Sequence, residues 1–302
     1  MASHPAEENL MLNRLITFAV ALLFLPPIAL TLAGQAWFAA TPVEGTVWLP
    51  TLFGIIAVLA FGFLLDTLTF HRTGHSLLRS QRNYLLWSGV AGTVTGALIA
   101  YLNLFAESWF TAGSETQALV LAALSCTVLL PVILIARLWL AGLPGLVRLS
   151  TRKFALPALP PEAAVILLVL VALTGLLGGT IWTDRLGWLL WFSPLLLLAA
   201  LQLLWHESTV FSGLAQGDWS RILLGALSGV VVGGFALAVY RFSGGSLYLA
   251  TGTWQMIVGL AMFGLLCLQI GDAVAEHWRG KPRGEVFKKK PFPISVVSKK
   301  DQ

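Results

Sequence analysis

Long apolar segments separated by short polar stretches run along almost the whole chain. Each segment holds about twenty residues, and a helix of that length, rising about 1.5 Å per residue, crosses a hydrocarbon core of roughly 30 Å. The pattern therefore predicts an all-α, polytopic membrane protein with eight transmembrane helices. The predicted spans are residues 12–33, 45–66, 85–106, 117–139, 162–183, 186–206, 220–241 and 248–271.

The composition agrees with this pattern. Hydrophobic residues make up 57% of the chain and charged residues only 11%, which is too little charge to cover a water-facing globule. A water-soluble enzyme is therefore excluded. The first segment follows an acidic start and lacks a small-x-small cleavage site, so we interpret it as an anchor rather than a removable signal peptide. Cys126 and Cys267 lie inside predicted spans, and we expect no disulfide between them.

The basic residues indicate how the spans are oriented, because loops rich in Lys and Arg stay on the cytoplasmic side. With the N-terminus inside, 17 of the 19 Lys and Arg residues fall in cytoplasmic segments, and only Arg185 and Arg241 fall outside. We therefore expect a multi-pass protein of the bacterial inner membrane with both termini in the cytoplasm. The net charge of +5 follows from this topology and does not indicate a nucleic-acid partner.

Two stretches, one in each half of the chain, resemble each other. Asp66-Thr-Leu-Thr-Phe70 precedes Ser88-Gly-Val90, and Glu207-Ser-Thr-Val-Phe211 precedes Ser228-Gly-Val230. This predicts a duplicated four-helix unit, and an even number of spans makes the two repeats parallel. The predicted organisation is a first membrane half over residues 1–139, a cytoplasmic interfacial linker over 140–161, a second half over 162–278 and a basic cytoplasmic tail over 279–302.

Spans three and seven carry small residues at four-residue spacing. Such rows let helix backbones approach closely. We interpret them as packing positions inside the bundle, and an interface with a second subunit is the alternative. The positions are Ser88, Gly92, Gly96, Gly225, Gly229 and Gly233.

Candidate chemistry is confined to the predicted cytoplasmic ends of the spans. The middle third of every span lacks ionisable residues, which disfavours a proton relay or an ion-coupled carrier. The groups at the ends of spans two and six form a candidate rim cluster, namely Asp66, His71, His75, His206 and Glu207. A metal pair at His71 and His75 is one interpretation, but Gly74 weakens a helix between them. We favour interfacial capping groups and predict no metal. Asp272 and Glu276 finish span eight.

Three segments carry a recognisable pattern, namely Arg72-Thr-Gly-His-Ser-Leu-Leu78, Asn103-Leu-Phe-Ala-Glu-Ser-Trp109 and Leu214-Ala-Gln-Gly-Asp-Trp-Ser-Arg-Ile-Leu-Leu224. These segments resemble an uncharacterised bacterial family of multi-span membrane proteins with a duplicated four-helix unit. In that family, span three ends in an acidic residue and an asparagine followed by a tryptophan. This chain departs from that pattern, because the acidic position before Asn103 is occupied by the apolar Ala100, and the second half has Tyr240-Arg241 where polar and acidic groups are expected. The resemblance implies no particular activity.

The loops are short, and the middle thirds of the spans carry no charge. These two features favour a non-catalytic integral membrane subunit or scaffold of a membrane protein complex. Its expected partners are membrane lipids and other membrane protein subunits. Lipid, quinone and pigment are the ligands considered between its helices, and the sequence identifies no cofactor. The alternative is a membrane enzyme or carrier that acts on a hydrophobic substrate at the cytoplasmic rim, through the rim cluster.

The orientation can be tested with topology reporters. Fusions after Asp301 and within residues 67–84 should report a cytoplasmic location, and fusions within residues 107–116 a periplasmic one, because the basic loops remain inside. A periplasmic signal from the fusion after Asp301 would contradict the eight-span arrangement.

Overall fold

The computed structural model describes residues 47–146, 155, 160–250 and 252–279. The first predicted span (12–33), much of the predicted linker and nearly all of the basic tail lie outside the described residues. The description below therefore concerns predicted spans two to eight and the loops between them.

The described chain is helical apart from one pair of short strands. Seven of its helices are long and apolar enough to cross a membrane, and they correspond to predicted spans two to eight. In chain order, the elements are α1 (Trp48–Thr73), α2 (Leu77–Ser80), α3 (Arg82–Ala106), β1 (Trp109–Thr111), α4 (Glu115–Ala141), α5 (Pro161–Ile181), α6 (Thr183–Leu204), a short 3-10 helix (Leu214–Gln216), α7 (Ser220–Phe242), β2 (Leu247–Leu249) and α8 (Thr253–Arg279).

Two helices extend beyond the predicted ends of their spans. Helix α1 continues past Asp66 to Thr73, where Gly74 adopts a left-handed conformation (φ 73°) and donates its amide to the Phe70 carbonyl. Such a C-terminal glycine satisfies carbonyls that the helix leaves unpaired. Helix α8 continues to Arg279 rather than ending near residue 271. Each of these helices continues on buried polar residues beyond its apolar segment. Asp66 and Asp272 therefore lie inside helices rather than at helix ends.

Helices α4, α7 and α8 form the centre of the described bundle, with α1 packed against α4 and α7. Buried residues of all four helices belong to one hydrophobic core. In that core the rings of Phe61 on α1 and Phe235 on α7 stack with their centroids 4.6 Å apart. Helices α1, α3 and α5 each expose one apolar face, at residues such as Phe63, Val94 and Leu177. This surface is typical of helices that face lipid.

A two-stranded antiparallel sheet joins the connection after α3 to the connection after α7. Phe110 in β1 lies opposite Tyr248 in β2. The side chain of Asn103 shapes the entry to β1, because its Oδ1 accepts hydrogen bonds from the amides of Ser108 and Trp109. The side-chain nitrogen Nδ2 of Asn103 also donates to the Trp109 carbonyl at 2.8 Å. This asparagine therefore has a structural role in the segment that carried the family resemblance.

The predicted small residues lie at helix contacts. All six are buried. A Cβ atom on Gly92 would overlap the Cys126 carbonyl of α4, and a Cβ atom on Gly229 would overlap the Leu260 carbonyl and lie 2.6 Å from the Gly264 Cα of α8. The backbones of α7 and α8 are thus in direct contact at Gly229 and Gly264.

Substitution of Gly229 by leucine should destabilise the protein, because the side chain would force α7 and α8 apart. We expect a loss of about 1–3 kcal/mol, the usual cost of overpacking, measured as a lower midpoint of thermal unfolding in detergent. Gly259→Leu on α8 is the matched control, since a Cβ atom there meets nothing within 4 Å. Equal midpoints for the two variants would contradict the proposed role of Gly229.

Candidate functional site

The three histidines of the rim cluster are exposed. His71 lies in the last turn of α1, and His75 follows the left-handed Gly74, so the helix ends between them. His206 follows α6 and itself adopts a left-handed conformation with φ 57°. His71 and His75 therefore do not share a helix face. Among the described residues, no group of three or more His, Cys, Asp or Glu side chains could hold a metal ion.

Asp66 is buried, and its carboxylate stabilises the chain that follows α1. Its Oδ1 accepts hydrogen bonds from the amides of Leu77 and Leu78, at 3.0 and 3.3 Å. These amides begin α2, where a helix leaves its N–H groups without partners. The guanidinium of Arg79 packs over the Phe70 ring, 3.8 Å from its centroid. Asp66 thus anchors the short helix α2 against α1.

Glu207 lies just beyond the C-terminus of α6. Its amide donates to the Gln202 carbonyl at 2.7 Å, and the His206 amide donates to Leu203, a pattern typical of a Schellman helix end. The Oε2 atom of Glu207 is buried and has no hydrogen-bond partner within the described segments. Asp66 and Glu207 therefore have different surroundings, and a joint role for the rim cluster stays a prediction.

A second group of polar residues lies on one face of α8, which we call the α8 polar face. It consists of Gln269, Asp272 and Glu276, all buried. Their spacing of three and then four residues places them on the same side of a helix. Asp272 forms an ion pair with Arg221 in the first turn of α7. The α8 polar face therefore points into the bundle and contacts α7.

The turn before α7 positions Arg221 for this ion pair. Oδ1 of Asp218 accepts a hydrogen bond from the Ser220 amide at 2.9 Å, which fixes the chain as the helix begins. Hydrogen bonds from Ser220 hold the pKa of the Asp218 carboxyl below its ordinary value, because they stabilise the charged form. Arg221 follows directly and reaches α8.

Two glutamines continue the polar contact deeper into the bundle. The Gln202 side chain on α6 donates from Nε2 to the Gln269 main-chain carbonyl at 3.3 Å. Both side chains are completely buried. A largely buried ion pair and two completely buried amides in a mostly apolar bundle form the strongest candidate site in the described part of the chain.

The sequence contained the signal for the α8 polar face. Gln269, Asp272 and Glu276 repeat at helical spacing, and they would have predicted a buried polar face had span eight been extended past residue 271. The ion pair with Arg221 carries no comparable signal, because the two residues are far apart in the chain and only packing of α7 on α8 brings them together.

No protein-family model, curated protein or solved structure shows a significant match to this chain.

Removal of the Asp272 carboxylate should destabilise the bundle, because it leaves the Arg221 guanidinium without its carboxylate partner at a largely buried position. Breaking a fully buried pair costs about 3–5 kcal/mol, and we expect about 1–3 kcal/mol for Asp272→Ala because Arg221 remains partly exposed. The measurement is thermal unfolding in detergent. Glu162→Ala, at an exposed position, serves as control, and an equal effect of the two substitutions would contradict a stabilising ion pair.

Proposed function

We propose that this protein is a non-catalytic integral membrane subunit or scaffold, built from eight spans in two parallel four-helix halves. We place it in the bacterial inner membrane with both termini in the cytoplasm. Its role is to hold partner subunits and lipids against the outer faces of a rigid helix bundle. The observation that carries this proposal is the direct contact of the α7 and α8 backbones at Gly229 and Gly264.

The pattern of helix contacts supports the two-half arrangement. If α1, α3 and α4 correspond to α6, α7 and α8, each contact has a counterpart. The pairs α1–α4 and α6–α8 both occur, as do α3–α4 and α7–α8. The contacts that join the two halves also have counterparts. The pair α4–α7 corresponds to α8–α3, and the pair α1–α7 corresponds to α6–α3. A two-fold axis along the membrane normal would produce this pattern.

The strand pair and the glycine contacts favour one alignment of the two halves, which we call the strand alignment. It matches Phe110 with Tyr248, the residues that lie opposite each other in the sheet, as expected where an axis crosses a strand pair. The same alignment matches Cys126, the contact of Gly92, with Gly264, the contact of Gly229. Gly229 itself lies next to the residue matched with Gly92. The sequence motifs suggest a slightly different alignment, in which Ser88 matches Ser228.

The close contact supports a scaffold because backbones in contact leave little freedom for one helix to slide or tilt against its neighbour. Asp66 is engaged at the beginning of helix α2, where its carboxylate accepts a hydrogen bond from the Leu77 amide. The outer faces of α3 and α5 present apolar side chains that suit either lipid or a partner helix. A rigid body with apolar outer faces is the form expected of a membrane subunit.

An enzyme or carrier at the cytoplasmic rim is the alternative. One observation favours it: the α8 polar face has no polar counterpart in the first half. In the strand alignment, Asp272 corresponds to Leu134 and Glu276 to Leu138. The first half therefore carries apolar side chains at these positions, and the fold alone does not explain why the second half is polar.

Purification from the native membrane in mild detergent tests the scaffold proposal. We expect partner subunits to co-purify, and a bulky substitution on one outer face to remove those bound there. Val94→Trp on α3 and Leu177→Trp on α5 form the matched pair, because both side chains are highly exposed and lie on different helices. If partners bind both faces, each variant should lose a different partner. If partners bind one face only, only the variant altered on that face should lose a partner. Purification of the wild-type protein without any membrane subunit would contradict the proposal.

A further inference from the structure

The contact between α6 and α8 leaves three buried polar atoms without partners. The amide nitrogen of Gln202 donates to the Gln269 main chain. The Oε1 atom of Gln202 and both Oε1 and Nε2 of Gln269 have no hydrogen-bond partner in the part of the chain that the structure describes. Both side chains are 0% exposed, so bulk water does not reach them. The contact therefore offers two acceptors and one donor inside an apolar bundle.

Such atoms are rarely left unsatisfied in folded proteins. An unpaired buried polar group costs about 1–3 kcal/mol, and most of those without a protein partner bond to ordered water. A water molecule donates two hydrogen bonds and accepts two. Its hydrogen-bonding capacity therefore matches the two amide oxygens and the Gln269 amide nitrogen.

The surroundings select a small ligand. The hydrogen bond of 3.3 Å from Gln202 to the Gln269 main chain joins the two helices directly. Ala199 and Leu268, each within one turn of a glutamine in sequence, are almost completely buried. Helices packed this closely exclude a lipid headgroup with its acyl chains, so a ligand at this contact is no larger than a water molecule.

The first half manages without such a polar contact. In the strand alignment, Gln202 corresponds to Leu64 and Gln269 to Pro131, neither of which can offer a side-chain hydrogen bond. This comparison rests on the two-half arrangement proposed above. The observation that the amide atoms have no partner among the described residues does not depend on that arrangement. The glutamines are thus a feature added to a helix contact that forms without them.

We propose that Gln202 and Gln269 bind water at the α6–α8 contact. This water lies beside Gln269, the member of the α8 polar face nearest the middle of the helix, about one helical turn from Asp272. The site is distinct from the scaffold role, which depends on the outer faces and on the glycine contact of α7 with α8. It also differs from the rim cluster, because neither glutamine belongs to it.

Hydroxyl-radical labelling of the purified full-length protein tests the site. X-ray pulses generate hydroxyl radicals from water, and these radicals oxidise the side chains next to the water molecule from which they form. Leu266 lies one turn before Gln269 on the same side of α8. A Leu266→Met variant places a reactive thioether there, and Leu130→Met places one in the apolar core of α4 as the matched control. Both leucines are buried. We expect the thioether at position 266 to be oxidised several-fold faster than the one at position 130.

Replacement of both glutamines by leucine in the Leu266→Met protein should reduce its oxidation to the level of the control. A thermal midpoint close to that of Leu266→Met alone checks that this protein still folds. If unfolding interferes, the single change Gln269→Met tests the same point, because it removes two of the three orphaned atoms with little change in volume. Equal, slow oxidation at positions 266 and 130 would overturn the proposal. So would fast oxidation at position 266 that persists without the glutamines, because the water would then have another origin.

Discussion

The close approach of helix backbones at glycine is the constraint on which the described bundle depends. At Gly229 and Gly264 the main chains of α7 and α8 touch, and at Gly92 the main chain of α3 meets the carbonyl of Cys126 on α4. In a bilayer the hydrophobic effect does not drive helices together, so close packing must supply much of the association energy. The positions of α1 and α6 follow, since each packs against one of these close pairs.

The two proposed halves differ in polarity more than in packing. Around α4 the part of the contact near Leu134 is apolar, whereas the part around α8 that is matched with it contains an ion pair and buried amides. Buried polar groups cost free energy unless each is paired. In the proposed two-half arrangement the positions matched with Gln269, Asp272 and Glu276 are apolar, so these polar groups meet a local requirement, such as the proposed water, rather than a general need of the fold. Asp66 differs from them, because its buried carboxylate is satisfied by the amides of α2.

Much of the fold could be predicted from the sequence, and little of the site. Seven of the predicted spans correspond to helices, because twenty consecutive apolar residues have few other stable arrangements in lipid. Helix ends were less predictable. A boundary placed where hydrophobicity falls misses helices that continue on buried polar residues, as α1 does past Asp66 and α8 past Gly271. The same boundary placement made Asp66 the last residue of span two and separated Asp272 from the buried face to which it belongs.

The sequence by itself determined that the chain is a multi-helix membrane protein and which positions are small enough for close packing. Both properties depend on residues near one another in the chain: the length of an apolar segment and the spacing of glycines along one helix. Only the tertiary structure decided which helices meet at those glycines. It also decided that Arg221 reaches Asp272, that Gln202 reaches Gln269, and that the three histidines are exposed. These contacts join residues dozens of positions apart, and nothing in local periodicity records which distant helix packs on which.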